Sequence, residues 1–412
     1  MQVNAKSRPD YPLLILVAFF LGFGLLMILS ASIAIAYRNN DGDTFFFLKR
    51  QVLWILAGGG LGFVFYQIPV EKLKKIGLWI IIGSIVMMIY MLPEALSPFL
   101  SSGEKAIQMP LVSTRNGATR WISLDFFDIQ PAELLKLGII LFISSWFTIS
   151  DKAKKEIEKG INKYKDNEFI YLILSWGFKL FPFLLLGIIS VLILLQNDLD
   201  TLAIIFLIFL SVFYVSRKEK SEIYKVIGIA AVALIAGFIA ISTVSYRNSR
   251  LQCYEEILIY GEPIGDSKIG DCFQVWNGLI GVGSGGLFGV GYGQSRQKLF
   301  FLQEAAYTDS IFTVVAEEFG LVGSVAVILG FVVFLSQGLR IAKNAPSRYA
   351  SFVAVGITSW ITIQAFLNIA ANLALIPFGG MPLPFLTYGG SNTIMILAGV
   401  GILLNISKKR IP

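Results

Sequence analysis

Apolar residues in this chain gather into runs of about twenty, separated by short polar clusters. A helix of that length crosses the roughly 30 Å of hydrocarbon in a bilayer. The pattern predicts ten spans, at 11–37, 52–69, 77–97, 131–149, 180–197, 199–215, 225–245, 310–337, 349–376 and 383–407. Lys6 and Arg8 precede the first run, and Ala34-Ile35-Ala36 resembles a cleavage site, but about 27 residues is too long for a signal-peptide core. That run is expected to remain as a span. Composition points the same way, because 55% of residues are hydrophobic, 15% are charged and the mean hydropathy is +0.71. A soluble core cannot use so much apolar sequence. The expected fold is an all-α polytopic membrane protein, one domain over residues 1–412.

Charge then orients the chain. With the N-terminus inside, alternate loops that should face the cytoplasm hold 21 of the 34 Lys and Arg residues, against 11 in the opposite loops. Cytoplasmic loops carry such an excess, so both termini are expected inside. The net charge of +7 is therefore explained by topology and anionic lipid headgroups, and nucleic acid is not an expected partner. Segments 38–51, 98–130 and 246–309 face outward and are too long to be simple turns. The largest lies between spans seven and eight, and its last residues, "EAAYTDSIFTVVAEEFG", carry Glu304, Asp309, Glu317 and Glu318 into the start of span eight.

The available chemistry is narrow. No histidine is present, which removes the commonest general base, the Ser-His-Asp arrangement and every His-ligated metal site. Acid–base work falls to Asp, Glu, Lys or Tyr. Cys253 and Cys272 are too few for a structural zinc site and both lie in the 246–309 segment on the oxidising side, so a disulfide is expected in preference to two free thiols. Gly281-Val-Gly283-Ser-Gly-Gly286 fits the dinucleotide fingerprint but follows no strand of a βαβ unit. A flexible loop or close backbone packing suits it better, and no nucleotide is expected.

Ionisable residues inside spans each cost about 2.5–3.5 kcal/mol on insertion scales. Glu133 and Lys136, three apart, share a helix face and can neutralise each other. Lys179 before Pro182 suggests a surface piece that ends where span five begins. Asp198 and Asp200 lie in a short turn between spans, where either one can cap the next helix or face a polar cavity.

Five ordered stretches resemble one family: "GATRWISLDFFDIQPAELLKL" (117–137), "QNDLDT" (196–201), "GSGGLFGVGYGQSRQK" (283–298), "EAAYTDSIFTVVAEEFGLVG" (304–323) and "PLPFLTYGGSN" (382–392). They look like the SEDS proteins of bacterial cell-wall synthesis, FtsW, RodA and SpoVE. The resemblance implies a peptidoglycan glycosyltransferase in the bacterial cytoplasmic membrane that polymerises lipid II on the extracytoplasmic side. It also implies a class B penicillin-binding protein as transpeptidase partner, together with other division or elongation proteins. By the same resemblance Asp309 is the catalytic carboxylate, and Arg120 and Trp121 belong to the second outer loop's motif. Chemistry agrees, since a sugar hydroxyl attacking an anomeric carbon needs a base and Asp309 is suited to the task. The leaving lipid pyrophosphate needs cations, for which Arg120, Arg247, Arg250, Arg296 and Lys298 are the outer supply, joined by a divalent ion, Mg or Mn. Asp198, Glu304 and Ser391 complete the expected substrate-binding set.

Glu317 and Glu318 point about 100° apart on a helix, and both should face the bundle because an ionised Glu in lipid is too costly. They either pair with a buried cation such as Lys136 or line the floor of the lipid II cavity. The sequence also departs from the family's pattern. Where the family commonly has "LPEAHTD", this chain has Leu302-Gln-Glu-Ala-Ala-Tyr-Thr-Asp309, with one residue more between Lys298 and the Asp. "QPDLGT" becomes Gln196-Asn-Asp198-Leu-Asp200-Thr201. The stretch at 25–54 reads as FtsW-like, so cell division is the expected role, with an elongation or sporulation paralogue next. A lipid II flippase, or a ligase of another lipid-linked sugar, is the competing class. No internal repeat of a transporter is visible, which favours the enzyme.

Overall fold

The computed structural model describes residues 8–100, 108–115, 118–124, 127–149, 156–157, 160–161, 168–216, 245–263, 272–377 and 379–408; side chains at 98–100, 168–179 and 245–251 are outside the description. The helices are α1 (Tyr11–Asn39), α2 (Phe46–Gln67), α3 (Leu73–Leu100), α4 (Pro131–Phe147), α5 (Glu168–Leu195), α6 (Leu199–Ser216), α7 (Ser245–Tyr260), α8 (Phe273–Ser284), α9 (Ile311–Lys343), α10 (Arg348–Asn372) and α11 (Gly390–Ser407). Nine of the ten expected spans correspond to α1–α6 and α9–α11. The remaining one, 225–245, lies outside the described residues apart from its last position. Among the described residues, six helices are individually long and apolar enough to cross a membrane. The chain is a multi-pass helical membrane protein.

Local chemistry sets the helix ends. Asp10 caps α1 by accepting from the Leu13 N–H at 3.0 Å, and its own N–H donates to Ser407 Oγ at 3.0 Å, which ties the first helix to the last. In α10 and α11, 72% and 83% of the apolar stretch is buried, against 28% in α9, so the first two form the centre, while α9 is buried up to Gly320 and peripheral beyond it. Without a hydrophobic force between helices in lipid, small residues allow close approach. Where α2 crosses α11, a Cβ on Gly401 would lie 2.1 Å from the Gly62 carbonyl oxygen.

Two expectations about helix ends are corrected. α5 runs unbroken from Glu168 to Leu195 with Pro182 inside it, so no separate surface piece ends before residue 180. Interior proline is tolerated in membrane helices because their surroundings satisfy the carbonyl it leaves. The last helix starts at Gly390, and "PLPFLTY" before it is not helical. The 98–130 loop adds a little sheet to an otherwise helical protein. Its strands β1 (Val112–Arg115), β2 (Ala118–Leu124) and β3 (Phe127–Ile129) form an antiparallel meander, with Ser113 opposite Trp121 and Ser123 opposite Asp128.

α9 is interrupted at Gly320, whose φ of 64° and ψ of −158° suit only glycine. The stretch after α8 fills the gap. Val290 and Gly291 donate their N–H groups to the carbonyls of Glu317 and Glu318 at 2.9 and 3.1 Å, while Leu321 and Val322 donate to those of Gly286 and Leu287 at 2.9 and 3.1 Å. Backbone groups that the break would leave bare are thus paired, a requirement for irregular backbone among spans. A side chain at 289 would collide, because a Cβ there lies 2.1 Å from the Glu318 carbonyl oxygen. Backbone packing is therefore what the glycine-rich stretch does.

Candidate active site

Asp309 sits half-buried one residue before the N-cap of α9, and three elements converge on it. From α10, Asn368 and Asn372 both donate to its backbone carbonyl, at 2.8 and 2.9 Å. From α8, Gln274 Nε2 donates to carboxylate Oδ1 at 3.2 Å and to Ser310 Oγ at 3.0 Å. From the 379–389 segment, Gly380 approaches so closely that a Cβ there would lie 3.4 Å from Oδ2. Thr308 Oγ1 adds a contact to Oδ1 at 3.3 Å.

Gln364, Asn368 and Asn372 are spaced four apart, so they form one polar stripe along α10. Asn368 also donates to the Met381 carbonyl at 2.6 Å, and Gln364 Nε2 to that of Pro382 at 3.0 Å. The stripe holds the non-helical segment and Asp309 in one frame. At its deep end, Gln364 Oε1 accepts from Lys136 Nζ at 2.9 Å and from Trp360 Nε1 at 2.9 Å, and Lys136 pairs with Glu133 at 2.7 Å. Both charges are buried and mutually neutralised, as their three-residue spacing predicts.

A second group lies at the turn between α5 and α6. Asp198 caps α6, accepting from Thr201 N–H at 3.3 Å and Thr201 Oγ1 at 2.9 Å. It also accepts from Gln130 Nε2 at 3.2 Å and lies 3.5 Å from the Arg120 guanidinium, which donates in addition to the Asn197 carbonyl. Of the two expected alternatives, Asp198 is the cap of α6, and it also contacts Gln130 and Arg120. Asp200 reaches toward Asp309's surroundings: a Cβ on Gly379 would lie 2.1 Å from its Oδ1, one residue before the glycine that Asp309 approaches. Ser391 Oγ donates to the Asp128 carbonyl at 2.6 Å and accepts from the Gln130 N–H at 3.2 Å, fastening β3 to the start of α11. Trp121 on β2 has the Arg115 guanidinium over its ring at 5.4 Å.

The third group is interior. Lys298 is buried, and its Nζ donates to Ser30 Oγ at 2.6 Å and to Glu318 Oε1, while Ser30 also donates to both Glu318 oxygens. Glu317 accepts from Ser295 Oγ at 2.5 Å and from the N–H groups of Arg296 and Gln297 at 2.9 and 3.4 Å. Of the two alternatives, pairing with a buried cation describes Glu318, and that cation is Lys298, because Lys136 is held by Glu133. The extra residue before Asp309 coincides with a π turn at Lys298–Leu302, which takes one more residue per hydrogen-bonded ring than an α turn. A 3-10 turn, Gln303–Ala306, follows and leaves Glu304 exposed.

Comparison with known proteins decides the family. The FtsW/RodA/SpoVE "Cell cycle protein" model matches residues 11–411. The chain belongs to that family. It is similar to a probable peptidoglycan glycosyltransferase FtsW of Thioalkalivibrio sulfidiphilus, with 32% identity over 100% of this chain and 92% of that protein. It is also similar to Stage V sporulation protein E of Bacillus subtilis, with 34% identity over 98% of each. The fold matches the rod shape determining protein RodA of Thermus thermophilus at TM-score 0.62 and 22% identity, covering 98% of this chain and 97% of that one. A chain from a peptidoglycan synthase complex that coordinates polymerization and crosslinking matches at TM-score 0.67 and 21% identity, covering 97% of each.

In this FtsW/RodA/SpoVE member Tyr307 stands where the family pattern has His. It packs 4.5 Å from Phe47 and 5.7 Å from Tyr388, ring to ring. Burial, reinforced by the Glu304 charge, pushes its hydroxyl above the usual phenol range, so it stays protonated. Arg247 and Arg250 lie on α7, and their side chains are outside the described residues. Of the expected outer cations, Arg296 is exposed, Arg120 is tied to the α5–α6 turn and Lys298 is engaged inside. Gln274, Asn368 and Asn372 are site residues that motif reading passed over. The amide stripe on α10 was visible as three uncharged polar residues at helical spacing inside an apolar run.

Proposed function

We propose that the chain is a lipid II-dependent peptidoglycan glycosyltransferase acting on the outer face of the cytoplasmic membrane, with Asp309 as general base. The observation that supports this most is the frame around Asp309: its carbonyl is clamped by two asparagines and its carboxylate is oriented by Gln274 at the lip of the bundle. A base fixed in position is what proton abstraction in a displacement requires. The acceptor sugar hydroxyl loses its proton to Asp309 and its oxygen bonds to the anomeric carbon of the donor. The bond from that carbon to the pyrophosphate oxygen breaks, and the electron pair leaves with the lipid pyrophosphate.

Cations offset the charge of that leaving group, and exposed Arg296 is suited to do so. Among the described residues no three His, Cys, Asp or Glu side chains cluster as a metal cage. Mg2+ or Mn2+ held mainly through water and substrate phosphates needs no such cage. Such an ion would supply charge neutralisation of the pyrophosphate.

A division role is our reading, since relatives named FtsW recur from several bacteria, and sporulation or elongation is the alternative with the same chemistry. A class B penicillin-binding protein is the proposed partner, in keeping with the synthase complex whose chain shares this fold. The deciding experiment is polymerisation of lipid II by the purified chain, alone and with its transpeptidase. Glycan ladders on a gel support the reading; lipid II moved across vesicles without polymer would replace it with a flippase.

A further inference from the structure

The Cys253–Cys272 disulfide lies immediately before α8, the helix that presents Gln274 to Asp309. It joins α7 to the N-cap position of α8 with Cα atoms 5.3 Å apart, and both cysteines are buried. On the other side of the link, Tyr254, the neighbour of Cys253, donates its hydroxyl to the Leu375 carbonyl at 3.1 Å. Leu375 is three residues past Asn372, which holds the Asp309 carbonyl. The connections close a ring: Asp309 to Asn372, along the chain to Leu375, across to Tyr254, through the disulfide to α8, and back by Gln274 to Asp309.

We propose that Gln274 is a positioning residue for the Asp309 carboxylate and that the Cys253–Cys272 disulfide holds α8 where Gln274 can serve it. The inference rests on the proposed function of Asp309 and adds how that residue is held. The amide N–H stabilises the ionised carboxylate as well as aiming it, so loss of the donor disfavours the charged form. α8 carries no titratable side chain, α10 presents two amides, and the 379–382 stretch has no ionisable residue. Among the described residues, Glu304 and Tyr307 on Asp309's own segment and Asp200 beyond Gly379 are titratable groups near it, and all are unchanged in the variants below.

The test is the pH profile of lipid II polymerisation by the full chain with its transpeptidase, normalised to folded protein measured by size exclusion in detergent. Gln274→Met keeps the side chain's size and removes the donor, so the acid limb should move up by about one pH unit. Gln274→Glu should move it further, because a like charge disfavours ionisation of Asp309. Cys253→Ser with Cys272→Ser should move the limb in the same direction, and adding Gln274→Met to that pair should move it no more than either change alone. An acid limb that stays in place while activity falls equally at all pH would overturn the positioning role. Shifts that add would overturn the link through the disulfide. Absence of product from the unmodified chain would fail the proposed function itself, and this inference with it.

Discussion

At the residue scale the chain separates carboxylates by what holds them. Asp309 takes hydrogen bonds from the amides of Gln274, Asn368 and Asn372 and stays half-exposed, whereas Glu318 is sealed with Lys298. Asp309→Asn keeps size and hydrogen bonding but removes the base, so the purified variant should fold normally and form no glycan ladder. Glu304→Gln, on an exposed turn, should retain most of the activity. The buried pair has the opposite signature. Lys298→Met leaves Glu318 as an uncompensated buried charge and should cost about 3–5 kcal/mol. Adding Glu318→Gln should recover much of that loss, as read by thermal unfolding in detergent. Equal losses in single and double variants would show that Lys298 is not what neutralises Glu318. Sequence alone identified every one of these residues as special but could not assign partners. Glu318 meets Lys298, twenty positions back, and Ser30 on the first helix, a pairing that only tertiary packing creates.

At the element scale, spans were legible because each must satisfy its own backbone and cover itself with apolar side chains. Their interruptions were not. Gly320 looks like any other small residue in an apolar run, and its left-handed backbone is defined by a loop that arrives from thirty positions earlier. Likewise the boundary placed at Pro182 followed a rule for water-soluble helices, which the bilayer relaxes. The break yields a sharp contrast. Gly320→Ala must adopt a glycine-only conformation, at about 1–3 kcal/mol, and its Cβ would lie 2.4 Å from the Gly289 nitrogen. Gly283→Ala, in the glycine-rich stretch that packs against Gly320 but with nothing within 4 Å, should change stability by less than about 0.5 kcal/mol. Melting temperatures of the two variants in detergent check the ordering. If both were equally harmful, the motif would serve something other than this backbone seat.

For the whole molecule, the proposed chemistry depends on which face of the membrane Asp309 meets, and the expectation rests on charge at the ends of one long helix. α9 starts two residues after Asp309 and ends at Lys343. At 1.5 Å per residue its 33 residues exceed the roughly 30 Å of hydrocarbon even with the bend at Gly320, so its ends lie on opposite sides. Arg340, Lys343 and Arg348 cluster at the far end, in one of the loops whose basic excess marks the cytoplasm. On that rule Asp309 is expected to meet the outer aqueous phase, where the proposed polymerisation must deliver its product. Arg296 and Lys343 are both exposed and can report this. In a Cys253→Ser, Cys272→Ser background, Arg296→Cys in intact cells should react with a membrane-impermeant maleimide, and Lys343→Cys should react only after the membrane is opened. The reverse pattern would put Asp309 in the cytoplasm, away from the growing wall, and would remove the basis for a role in outer-face polymerisation however well the site is built.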